Sequence, residues 1–332
     1  MQNYKKNIGY NIISNSQIVD IEKKKEKIDE IKKYFSKIQV NLINNCIFYK
    51  DFSFKFYKTF FNSSSPCIIK SSNLKNKYIM NTRIVNYKLD SIGKSNNYNK
   101  CITINKISIL DNFFNEVDFK YFFPKNSSSK YIGVEDIRLF DFNNELYFIG
   151  SLYNPENNKV QIVSNKFKNF ENPTIINPTF ETSFNWEKNW VFFNNKNNIN
   201  IIYKWYPLYI CNIDYLNNSL NLIKSIENLP DVFKNFRGST NGIIYNEKIW
   251  FIVHEQNKNI KSYLHCFVVF NKNMDLLGYS KEFNFENNLV EFCLGFELSY
   301  NNNFIITYST LDSTTKLAIF LPEYINSLIN YI

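Results

Sequence analysis

The chain has 332 residues, 44% of them hydrophobic and 21% charged, the make-up of a globular protein with a sizeable core, which excludes wholesale disorder. Its formal charge of +9 invites a nucleic-acid reading, but the excess is lysine. Only Arg83, Arg138 and Arg237 supply the guanidinium forks that phosphate readers favour, and neither a nucleic acid nor a membrane is an expected partner.

The abundant Asn, Lys, Ile, Phe and Tyr all have A/T-rich codons, so genome composition accounts for the lysines. Six scattered cysteines (Cys46, Cys67, Cys101, Cys211, Cys266 and Cys293) include no C-x-x-C pair. That pattern gives neither a metal site nor a disulfide framework and implies reduced thiols in a cytoplasmic setting. Met1–Tyr10 is polar and lacks an apolar signal core, and no stretch approaches the roughly 18 apolar residues of a membrane span.

In chain order, the first predicted element is an amphipathic helix over about 16–38. Ile18, Ile21, Ile28, Ile31, Phe35 and Ile38 recur at helical spacing, and Ser16 stands where a cap belongs. Residues 1–60 are expected to form an N-terminal extension around this helix. From residue 61 to 325 the pattern changes to short apolar runs separated by Asn, Asp, Gly, Pro and Ser. Examples are Tyr78–Leu89, Leu146–Tyr153, Val160–Ser164, Ile199–Trp205, Ile249–His254, Tyr263–Phe270 and Phe304–Thr310. Many short strands without intervening helices make an all-β sandwich, barrel or propeller. A tail, residues 326–332, follows; the run Pro322–Ile332 reads as a short closing helix.

A longer period narrows the choice. Polar clusters centred on Arg83, Glu135, Lys188, Arg237 and Glu291 recur at intervals of about 50 residues, the length of one four-stranded propeller blade. Five such clusters predict a five-bladed β-propeller, whose innermost strands would bring them to one axis. Both histidines, His254 and His265, and all three arginines fall in or beside these clusters. Trp186 and Trp190 flank Lys188-Asn189 and are equally suited to stacking on a sugar or to core packing; His265, inside an apolar strand, is expected to be structural.

The motifs, taken in order, resemble those of glycoside hydrolase family 130, the β-mannoside phosphorylases and mannosidases. Glu135-Asp136-Ile137-Arg138 is similar to that family's Glu-Asp-Pro-Arg signature. Lys188-Asn189, Arg237 to Thr240, His254 with Tyr263, Glu291 with Gly295, and Tyr308 with Asp312 follow in the family's order, across about residues 66–320. The resemblance implies a five-bladed propeller acting on β-mannosides or related glycosides by inversion, with Asp136 as general acid working through a sugar hydroxyl. Glu291 is the candidate base, on the far wall of the funnel. Arg83, Asn86, Glu135, Arg138, Lys188, Asn189, Arg237, Ser239, His254, Tyr263 and Asp312 are the candidate substrate-binding residues. The implied partner is an oligosaccharide or other glycan, with no cofactor. Inorganic phosphate is a candidate co-substrate, held by Lys188, Arg237, His254 and Tyr263. Ile137 departs from the signature proline, and no arginine lies between Arg138 and Arg237, where a phosphorylase would be expected to carry some. Phosphorolysis, hydrolysis and glycosyl transfer therefore stay open, and a non-catalytic glycan-binding propeller is the alternative.

Overall fold

The computed structural model describes residues 15–332 except 58–59, 98, 126–127, 183–184, 196–197, 258–259 and 261; Met1–Tyr10 lies outside them. The chain divides into a unit of residues 1–37 and a unit of residues 38–332. In the first, one helix spans Asn15–Phe35. It stops short of the expected Ile38 because Lys37 N–H bonds back only to the Tyr34 carbonyl, a tightened closing turn.

The second unit is a five-bladed β-propeller of antiparallel blades. From the axis outward, blade 1 is Phe61–Lys70, Tyr78–Val85, Cys101–Leu110 and Glu116–Phe122. Blade 2 is Glu135–Phe142, Glu145–Asn154, Lys159–Lys166 and the short Thr174–Ile175. Blade 3 is Val191–Asn195, Asn198–Trp205, Leu208–Asp214 and Ser219–Ile226. Blade 4 has a broken inner strand, Arg237–Gly238 and Ile243–Tyr245, then Lys248–Asn257, Ser262–Phe270 and Leu276–Ser280. Blade 5 is Glu291–Leu298, Phe304–Thr310 and Lys316–Phe320.

The ring is closed from the other end of the sequence. Phe48–Asp51 supplies the outer strand of blade 5, pairing Phe48 with Ile319 and Asp51 with Lys316. The propeller thus begins before residue 61, and the expected 1–60 extension gives up its last portion to the sheet. The tail is also absorbed: after a helix at Pro322–Ser327, Ile329–Tyr331 pairs with Leu276–Ser280 on blade 4.

Local chemistry explains the strand-and-turn rhythm. Tight hairpins need positive φ, which Asn tolerates better than other non-glycine residues. Asn143 and Asn144 turn at φ 50° and 61°, and Asn158, Asn218, Asn246 and Asn302 occupy the same region. The apolar strand faces meet between blades. Phe140, Phe192 and Trp190 fill the space between blades 2 and 3; Trp205, Phe251 and Phe270 fill that between blades 3 and 4. Burying one such ring is worth about 1.5–3 kcal/mol.

The period read from the sequence holds for four clusters and slips at the first. Inner strands carry or directly follow Glu135, Lys188, Arg237 and Glu291, but Arg83 lies on the second strand of blade 1, paired with Ser64 of the inner strand. A guanidinium on a long stem reaches the axis from one strand further out.

Candidate functional site

At the start of blade 2 the pairing slips between Glu135 and Arg138, leaving a bulge. Asp136 occupies it with φ 52°, a left-handed conformation uncommon for aspartate. Bulges re-aim side chains, and strained backbone of this kind concentrates at functional sites. The approach to the bulge is shaped by Gly133, at φ +94°, where an added Cβ would lie 2.2 Å from the Thr103 carbonyl oxygen.

Arg83 meets the bulge from blade 1. Its Nη1 lies 2.9 Å from Asp136 Oδ1 and its Nη2 3.2 Å from Glu135 Oε1. Nη2 also donates to Tyr87 Oη at 3.1 Å, and Nε to Thr103 Oγ1 at 3.3 Å. From the blade 2–blade 3 connection, Lys188 Nζ approaches Glu135 Oε2 at 3.2 Å. Burial works to raise the Glu135 pKa, but Lys188 and Arg83 outweigh it and hold this carboxyl below the usual value. Glu135 in turn holds the Lys188 ammonium above its ordinary range.

Blade 5 contributes Asp312, itself at φ 48°, which accepts a 3.4 Å hydrogen bond from Ser64 Oγ. Burial pushes the Asp312 carboxyl up, Arg83 opposes this, and the charges of Asp136 and Glu135 reinforce it. Tyr263 lies within electrostatic reach of Asp312, Asp136, Arg237 and Lys188. Its ring sits 6.0 Å from that of Phe292 and 5.4 Å from that of His254. Arg237 is exposed and, among the described residues, forms no ion pair with a carboxylate. The site therefore gathers Arg83, Glu135, Asp136, Lys188, Arg237, Tyr263 and Asp312 from all five blades or their connections.

Several expected members do other work. Arg138 is buried and donates to the carbonyls of Asp136, Gly238 and Ser239 and to Asn189 Oδ1, so it braces the bulge against blades 3 and 4. Asn189, at φ 65°, is the far end of that brace. Ser239 is fully buried, its hydroxyl 2.9 Å from His254 Nδ1. Burial drives the His254 pKa well below its ordinary value, with His265, Arg138 and Arg237 adding to the effect. His254 is therefore a neutral support behind Tyr263 and not a cationic phosphate ligand. Asn86 spends both ends of its amide on its own blade, on the Lys100 carbonyl and on the Ile102 N–H of the next strand.

Glu291 departs furthest from expectation. It has no exposed surface, and its oxygens accept the N–H groups of Phe285, Glu286 and Asn288 at 2.5, 2.9 and 2.7 Å. Burial pushes its carboxyl up to about 7 against these donors. A base must reach solvent or substrate, and this side chain instead pins a loop. Tyr308 is likewise a core residue, stacked on Phe285 at 4.1 Å. The two tryptophans separate: Trp190 is 1% exposed and Trp186 is 52% exposed. His265 is buried against Phe283 and Phe285, as expected of a structural residue. The sequence does not single out Tyr87, Thr103 and Ser64, which hold Arg83 and Asp312; Tyr87 stands four residues after Arg83, while the other two carry no local signal.

A five-bladed propeller with paired acids and basic groups at one funnel mouth is the class these features define. No protein-family model matches the sequence, and no curated protein matches it. Solved structures do. The fold is similar to that of a β-1,2-mannobiose phosphorylase from Listeria innocua, solved with β-1,2-mannobiose, at 12% identity, TM-score 0.58, covering 83% of this chain and 95% of that one. It is also similar to a GDP-Man-dependent mannosyltransferase from Leishmania mexicana (13% identity, TM-score 0.53, 88% and 94% covered). A glycosyl hydrolase from Bacteroides ovatus matches at 12% identity and TM-score 0.53, with 86% and 93% covered. At these identities the likeness establishes the fold.

Proposed function

We propose that this chain is a carbohydrate-active enzyme that cleaves or forms a β-mannosidic or related glycosidic bond with inversion, using Asp136 as general acid. The observation that carries the reading is the seat of Asp136: a left-handed bulge at the funnel mouth, gripped by Arg83 and flanked by Glu135 and Lys188. A glycosidic oxygen leaves only with a proton. Asp136 supplies it through a sugar hydroxyl, the C1–O bond breaks, and the acceptor oxygen bonds to C1 from the opposite face. Asp312 replaces Glu291 as the carboxylate that takes the acceptor's proton. Of the two other carboxyls gathered with Asp136, Glu135 is tied to Arg83 and Lys188, which leaves Asp312, and its raised affinity for protons suits a base. Glu135, Lys188, Arg237 and Tyr263 bind sugar hydroxyls.

Water or a sugar hydroxyl is a better acceptor here than phosphate. Of the four side chains expected to cradle phosphate, Lys188 is engaged with Glu135 and His254 is buried and neutral. Arg237 and Tyr263 alone make a thin anion site beside three carboxylates. A library of glycosides and sugar nucleotides, incubated with the purified protein with and without phosphate, tests both levels. Phosphate-independent release or transfer of sugar, lost in Asp136→Asn, is expected. Phosphate-dependent formation of sugar 1-phosphate would overturn the acceptor assignment, and tight glycan binding without turnover would favour the non-catalytic alternative.

A further inference from the structure

Beside the funnel, between blades 1 and 2, lies a cleft of about 640 Å³ lined by Thr103, Asn105, Phe123, Tyr131, Tyr153 and Phe170, among others. That size falls in the usual range of small-molecule sites, about 300–1,000 Å³. It is joined to the funnel at two points. Thr103 lines the cleft and also accepts the Arg83 Nε hydrogen bond, and the wall Tyr131–Val134 runs directly into Glu135. A line of aromatic rings follows the same route. Lys188 Nζ sits 5.7 Å from the centre of the exposed Trp186 ring; that ring is 6.1 Å from Tyr131, which is 5.5 Å from Tyr153. At the cleft floor Asn105 is 3% exposed. Its amide nitrogen donates to the Val134 carbonyl, but its Oδ1 is buried with no partner. A buried acceptor left unmatched is destabilising, and this one belongs to a residue that lines the cleft.

We infer that this cleft binds the distal sugar units of an oligosaccharide whose terminal residue occupies the funnel. The inference rests on the glycoside reading above and names its substrate class: chains of several sugars, not simple monosaccharide derivatives. Sugar rings present an apolar C–H face to aromatic side chains and a rim of hydroxyls to amides. The cleft offers both, and is larger than one ring needs.

The test uses the full chain carrying Asp136→Asn, which keeps bound glycans intact. Calorimetry would compare β-linked oligosaccharides of rising length, and the matching monosaccharide glycoside, on this protein and on versions that also carry Tyr153→Ala or Tyr131→Ala. Affinity should rise with chain length, and each cleft variant should remove about tenfold of that gain, the scale of one aromatic contact, while monosaccharide affinity stays within twofold. Tyr153→Phe should retain the gain, and melting temperature identifies a variant that is merely unfolded. Affinity that is flat with length, or equal losses for short and long ligands, would overturn the cleft assignment alone. Failure of every glycan to bind would bring down the glycoside reading and the cleft with it.

Discussion

Arg83 and Asp136 belong to different blades and lie 53 positions apart in the chain, yet Arg83 Nη1 is 2.9 Å from Asp136 Oδ1. The contact ties the second strand of blade 1 to the bulge that opens blade 2. The same guanidinium reaches Glu135, so one buried cation organises both adjacent acids. Arg83 itself is 5% exposed, and leaving buried carboxylates without it is costly.

Substitution at this pair separates chemistry from architecture. Asp136→Asn keeps the side chain's shape and should lower turnover on the active glycoside by about 10²–10⁴-fold, the usual worth of a positioned proton donor, with melting temperature little changed. Arg83→Ala should lose activity and also melt lower, because it strips partners from Glu135, Asp136 and the Tyr87 hydroxyl together. Thermal melts run beside rate assays distinguish the two patterns.

Lys188 sets the pH at which Glu135 loses its charge. Lys188 and Arg83 depress the Glu135 pKa, so Glu135 stays ionised to lower pH than a free glutamate. Lys188→Met removes the first of these influences. The acid limb of the pH dependence of kcat/KM should move to higher pH, since Glu135 then protonates sooner as pH falls. An unmoved acid limb would show that Glu135 is not among the groups whose ionisation the reaction needs.

His265 makes a stability prediction with a definite sign. Burial lowers its pKa to about 3, against about 6.5 in an unfolded chain. Below 6.5 the unfolded state takes up a proton that the native state refuses, so the fold loses stability as pH falls from 6.5 towards 3. The loss reaches about 2 kcal/mol at pH 5. Both ring nitrogens are buried without partners, and the ring lies against Phe283 and Phe285. His265→Phe fills that slot without a titrating group. Urea unfolding from pH 7 to pH 5 should show a shallower decline in the variant than in the parent protein.

The contrast between Glu135 and Glu291 shows what was legible in the sequence. Both are glutamates at the start of an inner strand, and both stood out as centres of the polar clusters that recur about every 50 residues. What separates them is where backbone N–H groups point: three converge on Glu291 from the loop before it, and no residue pattern announces that. The blades themselves were readable because turn chemistry is local and Asn marks it. Asp136 was readable because two adjacent acids before an arginine are an unusual start to a strand. The closing strand Phe48–Asp51 was not, because four residues carry too little alternation, and their partners lie near the other end of the chain. Asn86 and Ser239 stood as candidate ligands by their place beside Arg83 and Arg237, and tertiary hydrogen bonds took them for the scaffold.

Glu291 in turn should behave as a strut. Glu291→Ala leaves three N–H groups in the 285–288 loop without acceptors, and each stranded buried donor costs about 1–3 kcal/mol. Denaturant unfolding should show a loss of several kcal/mol. A variant that keeps its stability while its turnover collapses would instead return Glu291 to the reaction as a base.

The closing strand gives the last test. Phe48–Asp51 covers the outer edge of Lys316–Phe320, and an uncovered edge presents unpaired N–H and C=O groups that invite other chains. Two truncations measure what residues 38–52 add, the closing strand together with the buried Leu42 that leads into it: one lacks residues 1–37, the other residues 1–52. The second should melt several degrees below the first and aggregate at lower protein concentration, because it opens blade 5 where the first does not. Static light scattering during a thermal ramp measures both quantities. Equal behaviour of the two truncations would mean that the ring holds through its inner strands alone and that the N-terminal strand is an ornament on the edge.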